Sequence, residues 1–253
     1  MDRRTFVRVT SAAAAGAAAL QAAGTWADAI AETGAPGAPP TRTGGGPAMA
    51  YEVKAHLKPS NLKGLSENQI AQHWKLYEGY VAQSNALRAE LEALRKEGKG
   101  ATPLYADRRR RFGFEYNGMV LHEYYFGNLK AGVAEPGDAS PLRKALSEQF
   151  GSFEAWKDDC VKCGATRGIG WAALYLDPAT GWLTNHFIQL HEDGNVAGFV
   201  PILVLDVFEH AYMVDFPATG RPDYMKAFFE NVNWEAVEKR FAEASAGKIP
   251  ARF

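Results

Sequence analysis

Apolar and aromatic side chains recur at three- and four-residue intervals at Ile70, Trp74, Leu76, Tyr77, Tyr80, Val81, Leu87, Leu91 and Leu94. That spacing is the period of an α-helix with one buried face. Ser66 and Gln69 form a capping-box pattern just before the run, and Gly98 closes it, so the pattern predicts one long helix. A second helical pattern starts near the basic run 108–111 and reaches Leu129 through Phe114, Met119, Leu121, Tyr125 and Phe126. The basic run reads as a solvated helix start. A short loop with Gly and Pro joins the two, which predicts an antiparallel hairpin.

After a boundary at 132–137, Ser140-Pro141 and Ser152 each open a shorter helix, as an N-cap followed by helix-compatible residues. From Trp171 the period shortens. Residues 171–176, 182–190 and 199–205 read as strands, the first two separated by the turn at 177–181. Residues 222–229 and 234–243 return to helix. The predicted fold class is α+β: an N-terminal antiparallel helical hairpin followed by a lobe of helices around a three-stranded antiparallel sheet. The expected organisation is a helical hairpin domain at 51–135 and a C-terminal α/β domain at 136–253.

The front of the chain reads as targeting rather than fold. Arg3-Arg4 precede an Ala-rich, weakly apolar stretch, and Ala27-Asp28-Ala29 is a small-x-small cleavage site; Gln21-Ala22-Ala23 would also serve. Residues 1–29 are therefore expected to be a twin-arginine signal, with export to the periplasm or beyond and no stable membrane insertion. That route carries folded proteins. The Gly/Pro-rich residues 30–50 read as a disordered linker. Formal net charge is −1. Removing 1–29, with three Arg and two Asp, leaves about −2. That balance does not suggest a nucleic-acid partner.

Candidate chemistry begins where the third strand ends. A nearly uninterrupted apolar run terminates at Asp206, and His210 follows four residues later. A buried carboxylate is costly unless it is paired or bound to a metal. A helical turn at Asp206 would place both side chains on one face. The chain has six histidines. His73 lies on the first hairpin helix in one stripe with Tyr77 and Tyr80, and His122 lies on the second. Three imidazoles and a carboxylate make a mixed N/O site for a first-row metal. Any one of these histidines alone would more often be a hydrogen-bonded core residue, and spacing by itself does not show that they converge. Cys160 and Cys163 form a single C-x-x-C on a predicted helix. A zinc ribbon needs two such pairs and no thioredoxin-like strand precedes it, so core residues are the favoured reading, with a local disulfide as the alternative.

Across residues 51–245 the chain resembles the iron/manganese superoxide dismutase family. The resemblance rests on Asp206-Val-Phe-Glu-His-Ala-Tyr212, Gly168-Ile-Gly-Trp-Ala172, Gly151-Ser-Phe153, Arg221-Pro-Asp-Tyr224 and Asn231-Val-Asn-Trp234, in the family's order. It implies that His73, His122, Asp206 and His210 hold one iron or manganese ion per subunit. It further implies that Tyr80 guards the substrate funnel and Arg221 stands near its mouth. The implied activity is conversion of superoxide to dioxygen and hydrogen peroxide. The implied assembly is a homodimer or tetramer in which Glu209 pairs with the partner's ligand histidine. A non-catalytic structural or metal-binding protein of the same fold is the alternative. A hydrolytic metalloenzyme is disfavoured, because no free Asp or Glu is placed as a general base.

The chain departs from the family's pattern at several positions. His73 and Tyr80 are seven residues apart rather than eight, a spacing that a regular helix satisfies unaided. Tyr77 stands about where the family has a second helix histidine, and Met213 where it has that histidine's tyrosine partner. Phe208 replaces a tryptophan. Gly118 occupies the position at which iron enzymes often carry a glutamine donor to solvent at the metal. The alternative donor position is His191, as in some archaeal members, most of which use iron; iron is therefore the favoured metal.

Overall fold

The computed structural model describes residues 49–248. The predicted targeting segment and nearly all of the predicted linker lie outside them. After a 3-10 turn at Ala55–Leu57, two long helices pack against each other, α1 (Glu67–Lys96) and α2 (Pro103–Gly127). Arg108 pairs with Glu90, Gly118 lies against Tyr80, and the His122 and Tyr125 rings pack on His73. Partners that ascend on one helix as they descend on the other define the antiparallel hairpin.

Two local expectations change. Ser66 does accept a hydrogen bond from the Gln69 amide at 3.0 Å, but the Gln69 side chain does not return to Ser66. The Ser66 amide and hydroxyl both donate to Asp215 at 2.6 Å, so a distant carboxylate takes over half of the capping box. The second helix begins at Pro103, with Thr102 as its N-cap, five residues before the basic run. Pro is preorganised for the first helical turn and Thr can cap it, so the Arg run falls inside the helix, with Arg108 on Glu90 and Arg111 on Glu115. Leu76, counted with the apolar stripe, is 40% exposed.

Next come α3 (Pro141–Phe150) and α4 (Phe153–Gly164), capped by Ser140 and Ser152. The strands are β1 (Gly170–Leu176), β2 (Leu183–Gln189) and β3 (Val200–Asp206), in the order β2-β1-β3 with both pairings antiparallel. In the intervening turn Asp177 accepts from the Ala179 amide and the Thr180 hydroxyl. Helices α5 (Arg221–Phe229) and α6 (Trp234–Ser245) finish the described chain, and no described helix is long and apolar enough to cross a membrane. Cys160 is buried and Cys163 partly so; both are free thiols that burial pushes up, Cys163 to about 11.

The core lies between α2, the sheet and helices α3 to α6, around Trp156, Trp171, Trp234, Tyr224 and Phe228. The end of β3 is held from several directions. The Asn128 amide donates to the Val204 carbonyl, and the buried Arg240 donates to the Asn128 side chain and the Ile202 carbonyl. The Tyr224 hydroxyl donates to the Asp206 carbonyl at 2.7 Å. Each such buried bond left unmade costs about 1–3 kcal/mol. The strand end that carries Asp206 is therefore held through its backbone, independently of the Asp206 carboxylate.

Candidate metal centre

Asp206 is the last residue of β3, paired across the ladder with Trp171. The strand stops there because the Asp206 Oδ1 accepts the Phe208 amide at 2.8 Å, folding the chain into the 3-10 turn Glu209–Ala211. The turn brings the His210 Nε2 to 3.2 Å from the Asp206 Oδ2. His73 on α1 sets its Nε2 3.1 Å from the same oxygen, and His122 on α2 sets its Nε2 at 3.8 Å. One ligand atom from each of the four residues lies within 4.8 Å of every other. His73, His122 and Asp206 are fully buried, and the His210 side chain is 24% exposed. The structure thus brings together all four residues singled out as ligands.

The protonation pattern tests whether these residues fit a cation. His122 Nδ1 lies 2.6 Å from the Gly118 carbonyl, which can only accept, so Nδ1 carries the proton. The His122 Nε2 is therefore a lone pair, buried without a hydrogen-bond partner, and it faces an ionised carboxylate oxygen. Two acceptors oriented at each other repel unless positive charge lies between them. First-row metals bind imidazole nitrogen at about 2.0–2.1 Å, and donor atoms three to four ångströms apart suit one shared ion. The donor set, three neutral nitrogens and one carboxylate, fits iron or manganese.

Electrostatics point the same way. Burial lowers the pKa of His73 and takes that of His122 well below the ordinary histidine value. Burial alone would raise Asp206, but the charge and hydrogen bond of His210, with those of His73, hold it well below the carboxylate range. His73 and His122 are thus held neutral beside an ionised carboxylate, which is the state a metal requires of them.

Tyr80 and His191 adjoin this centre. The Tyr80 ring lies 5.0 Å from the His122 ring, and its hydroxyl is 2.8 Å from the His191 Nε2. The Trp171 indole, a donor only, gives its proton to the His191 Nδ1 at 3.0 Å. That fixes His191 as the Nε2–H tautomer, donating to the Tyr80 oxygen and leaving the Tyr80 proton free to be given elsewhere. His191 thus directs its one proton to the Tyr80 oxygen rather than into the four-residue cluster. Burial lowers His191 to about 4 and raises Tyr80 to about 12, so at neutral pH the imidazole is uncharged and the phenol protonated.

Two backbone features hold this arrangement. His191 follows Leu190, whose φ of 55° is costly for a branched side chain. A Cβ at Gly118 would lie 2.7 Å from the Tyr80 ring, so no larger residue fits without displacing Tyr80. The absence of a side-chain donor at Gly118 is thus coupled to the seven-residue step from His73 to Tyr80 on an unbroken α1.

The remaining sequence candidates lie apart. Arg221 donates to the Thr166 and Gly168 carbonyls at 3.1 and 2.8 Å, and no contact brings it to the cluster. Glu209 is exposed beside His210. Tyr77 is buried, donating to Glu123 and accepting from the Lys54 amide. Phe208 stacks between His191 and His210, at 5.0 and 4.9 Å between ring centres.

Comparison with known proteins agrees with this geometry. Residues 138–240 match the model for iron/manganese superoxide dismutases, C-terminal domain. The chain is 39% identical over 199 residues to the superoxide dismutase [Fe] of Aquifex pyrophilus, covering 76% of this chain and 92% of that protein. It is 34% identical over 200 residues to the superoxide dismutase [Fe] of Saccharolobus solfataricus, covering 77% and 91%. Likewise it is 34% identical over 199 residues to superoxide dismutase [Mn] 2 of Haloferax volcanii, covering 78% and 94%. With the α+β fold, the four-residue donor cluster and similarity along most of the chain, this protein belongs to the iron/manganese superoxide dismutase family.

Proposed function

We propose that the protein is a superoxide dismutase whose metal ligands are His73, His122, Asp206 and His210. The observation that carries this reading is the unpartnered His122 Nε2 facing the Asp206 carboxylate in a buried, aromatic-walled site. A bound iron or manganese ion supplies one-electron cycling, in which one superoxide leaves as dioxygen and a second, reduced with two protons, leaves as hydrogen peroxide. The chain's own contribution is proton delivery and exclusion of water. Tyr80, half-buried at the edge of the cluster, holds a donatable proton, and Trp171 through His191 keeps its oxygen oriented. Phe126, Trp171 and Phe208 wall the imidazoles and keep the local dielectric low. Arg221 adds positive charge toward an anionic substrate from a distance.

Iron is the favoured metal. The donor network runs through an imidazole and a phenol rather than a carboxamide, and relatives from Aquifex and Saccharolobus bear the name superoxide dismutase [Fe]. Protein reconstituted separately with each metal is expected to dismute superoxide with iron, and His191→Gln to shift the iron-to-manganese activity ratio. No dismutation with either metal overturns the function; activity with manganese alone, or an unchanged ratio in the variant, overturns the iron preference.

The assembly is proposed to be a homodimer or tetramer with Glu209 in its interface. The chain is also proposed to be exported through Arg3-Arg4, followed by its weakly apolar stretch. Replacing both arginines by lysine is expected to leave active, uncleaved protein in the cytoplasm, as fractionation and mass spectrometry would show. Normal secretion of that variant removes the twin-arginine assignment.

A further inference from the structure

Gln69 stands four residues before His73 on the same face of α1 and is completely buried. A buried carboxamide is costly unless both its ends find partners. The Gln69 Nε2 donates to the His210 carbonyl at 2.7 Å, and its Oε1 accepts from the Val214 amide at 2.9 Å. Both partners belong to the segment after Asp206, whose regular structure is a single 3-10 turn. Asp215, the next residue along, is held by Ser66. The first turn of α1 thus grips this segment at three points, and the following turn presents His73 to Asp206.

We propose that Gln69 is a positioning residue for the metal centre: its carboxamide fixes the backbone carrying His210 to the helix carrying His73. The proposal rests on the metal-centre reading above. His210 needs such a hold more than the other three residues. Its side chain is the only partly exposed one of the four, and it sits on a short turn rather than within a long helix or a paired strand. Gln suits the position because one side must donate to a carbonyl and the other must accept from an amide. Leu matches its bulk but leaves both backbone groups without partners. Glu keeps the acceptor for Val214 but sets a carboxylate oxygen against the His210 carbonyl.

The test compares wild type, Gln69→Leu, Gln69→Glu and, as a stability control, Leu146→Ala, a cavity variant in α3 that leaves the 209–215 segment untouched. Metal release into a chelator, the electronic spectrum of the iron-loaded protein and Tm are measured for each. Gln69→Leu is expected to release metal about tenfold faster or more with an altered spectrum, and Gln69→Glu to fall between it and wild type. Leu146→Ala is expected to keep the wild-type spectrum and release rate despite a lowered Tm. Release and spectrum in Gln69→Leu no different from those of Leu146→Ala would overturn the proposal. Should Gln69→Leu fail to fold, wild-type release and spectrum in Gln69→Glu would overturn it equally. Wild type that binds no metal at all would instead bring down the metal-centre reading, and this proposal with it.

Discussion

Asp206→Ala is expected to purify as a folded protein with neither bound metal nor measurable superoxide dismutation, and His122→Ala to do the same. Asp206 supplies the single anionic donor among three neutral nitrogens, and its Oδ2 is the atom around which all three converge. Without it a divalent or trivalent ion would face only imidazoles in a low-dielectric pocket, where an uncompensated charge is severely penalised. The fold should survive, because the ties at this position are to the backbone. The ladder pairing with Trp171 and the Tyr224 bond to the Asp206 carbonyl do not involve the carboxylate. The losses are the bond to the Phe208 amide, about 1 kcal/mol, and the contacts of the carboxylate with His73 and His210, offset by removal of a buried charge. His122→Ala removes the lone pair that faces the carboxylate and leaves space inside the hairpin. Elemental analysis, a superoxide decay assay and circular dichroism check all three statements. Stoichiometric metal with activity in either variant refutes the ligand assignment.

Much of this centre was legible before the structure, for identifiable reasons. Asp206 ends an apolar run in which a lone charge requires a partner, and His210 follows at a turn's spacing. His73 and His122 stand out because histidines are few and these two lie in aromatic helix patterns. Convergence was not legible. It depends on α2 packing against both α1 and β3, and on β3 pairing with the opposite side of β1 from β2. Spacing along a chain carries no information about either.

The residues that sequence reasoning passed over share one character: polar groups whose partners lie far away in sequence. Gln69 could have been suspected, since it is a polar residue on the buried stripe of α1 one turn from His73. Its reading as half of a capping box was locally sound and lost to Asp215, which competes from 149 positions away. Trp171 was visible as part of a motif, but its role in fixing the His191 tautomer depends on a 3.0 Å contact between β1 and the residue after Leu190. Likewise His191 was legible as a candidate donor. That its proton goes to Tyr80 follows from the Trp171 bond and from Gly118 making room for the Tyr80 ring. Helix and strand extents agreed to within a residue or two except at α2, where the Thr102-Pro103 start signal lay upstream of the more conspicuous arginines.

Glu209→Ala is expected to convert the oligomer into monomers and to weaken metal retention about ten- to a hundredfold. Glu209 is exposed on the 3-10 turn next to His210, the one partly exposed imidazole of the cluster. His210 turns its Nε2 inward to Asp206, so in the proposed dimer its other ring nitrogen would be the one to meet a carboxylate from a second copy. A carboxylate on that nitrogen would fix the imidazole's tautomer and raise its basicity toward the metal. On the same segment as Glu209, Met213 and Val214 are 45% and 40% exposed, apolar surface that a second copy would cover. A two-fold axis through this face would use Glu209 and His210 twice, as an isologous interface requires. Each metal site would then depend on its neighbour, so loss of assembly and loss of metal should occur together. Sedimentation velocity, with metal content followed during dialysis against chelator, measures both quantities in one preparation. An unchanged oligomer with full metal in Glu209→Ala would show that the interface does not run through this carboxylate.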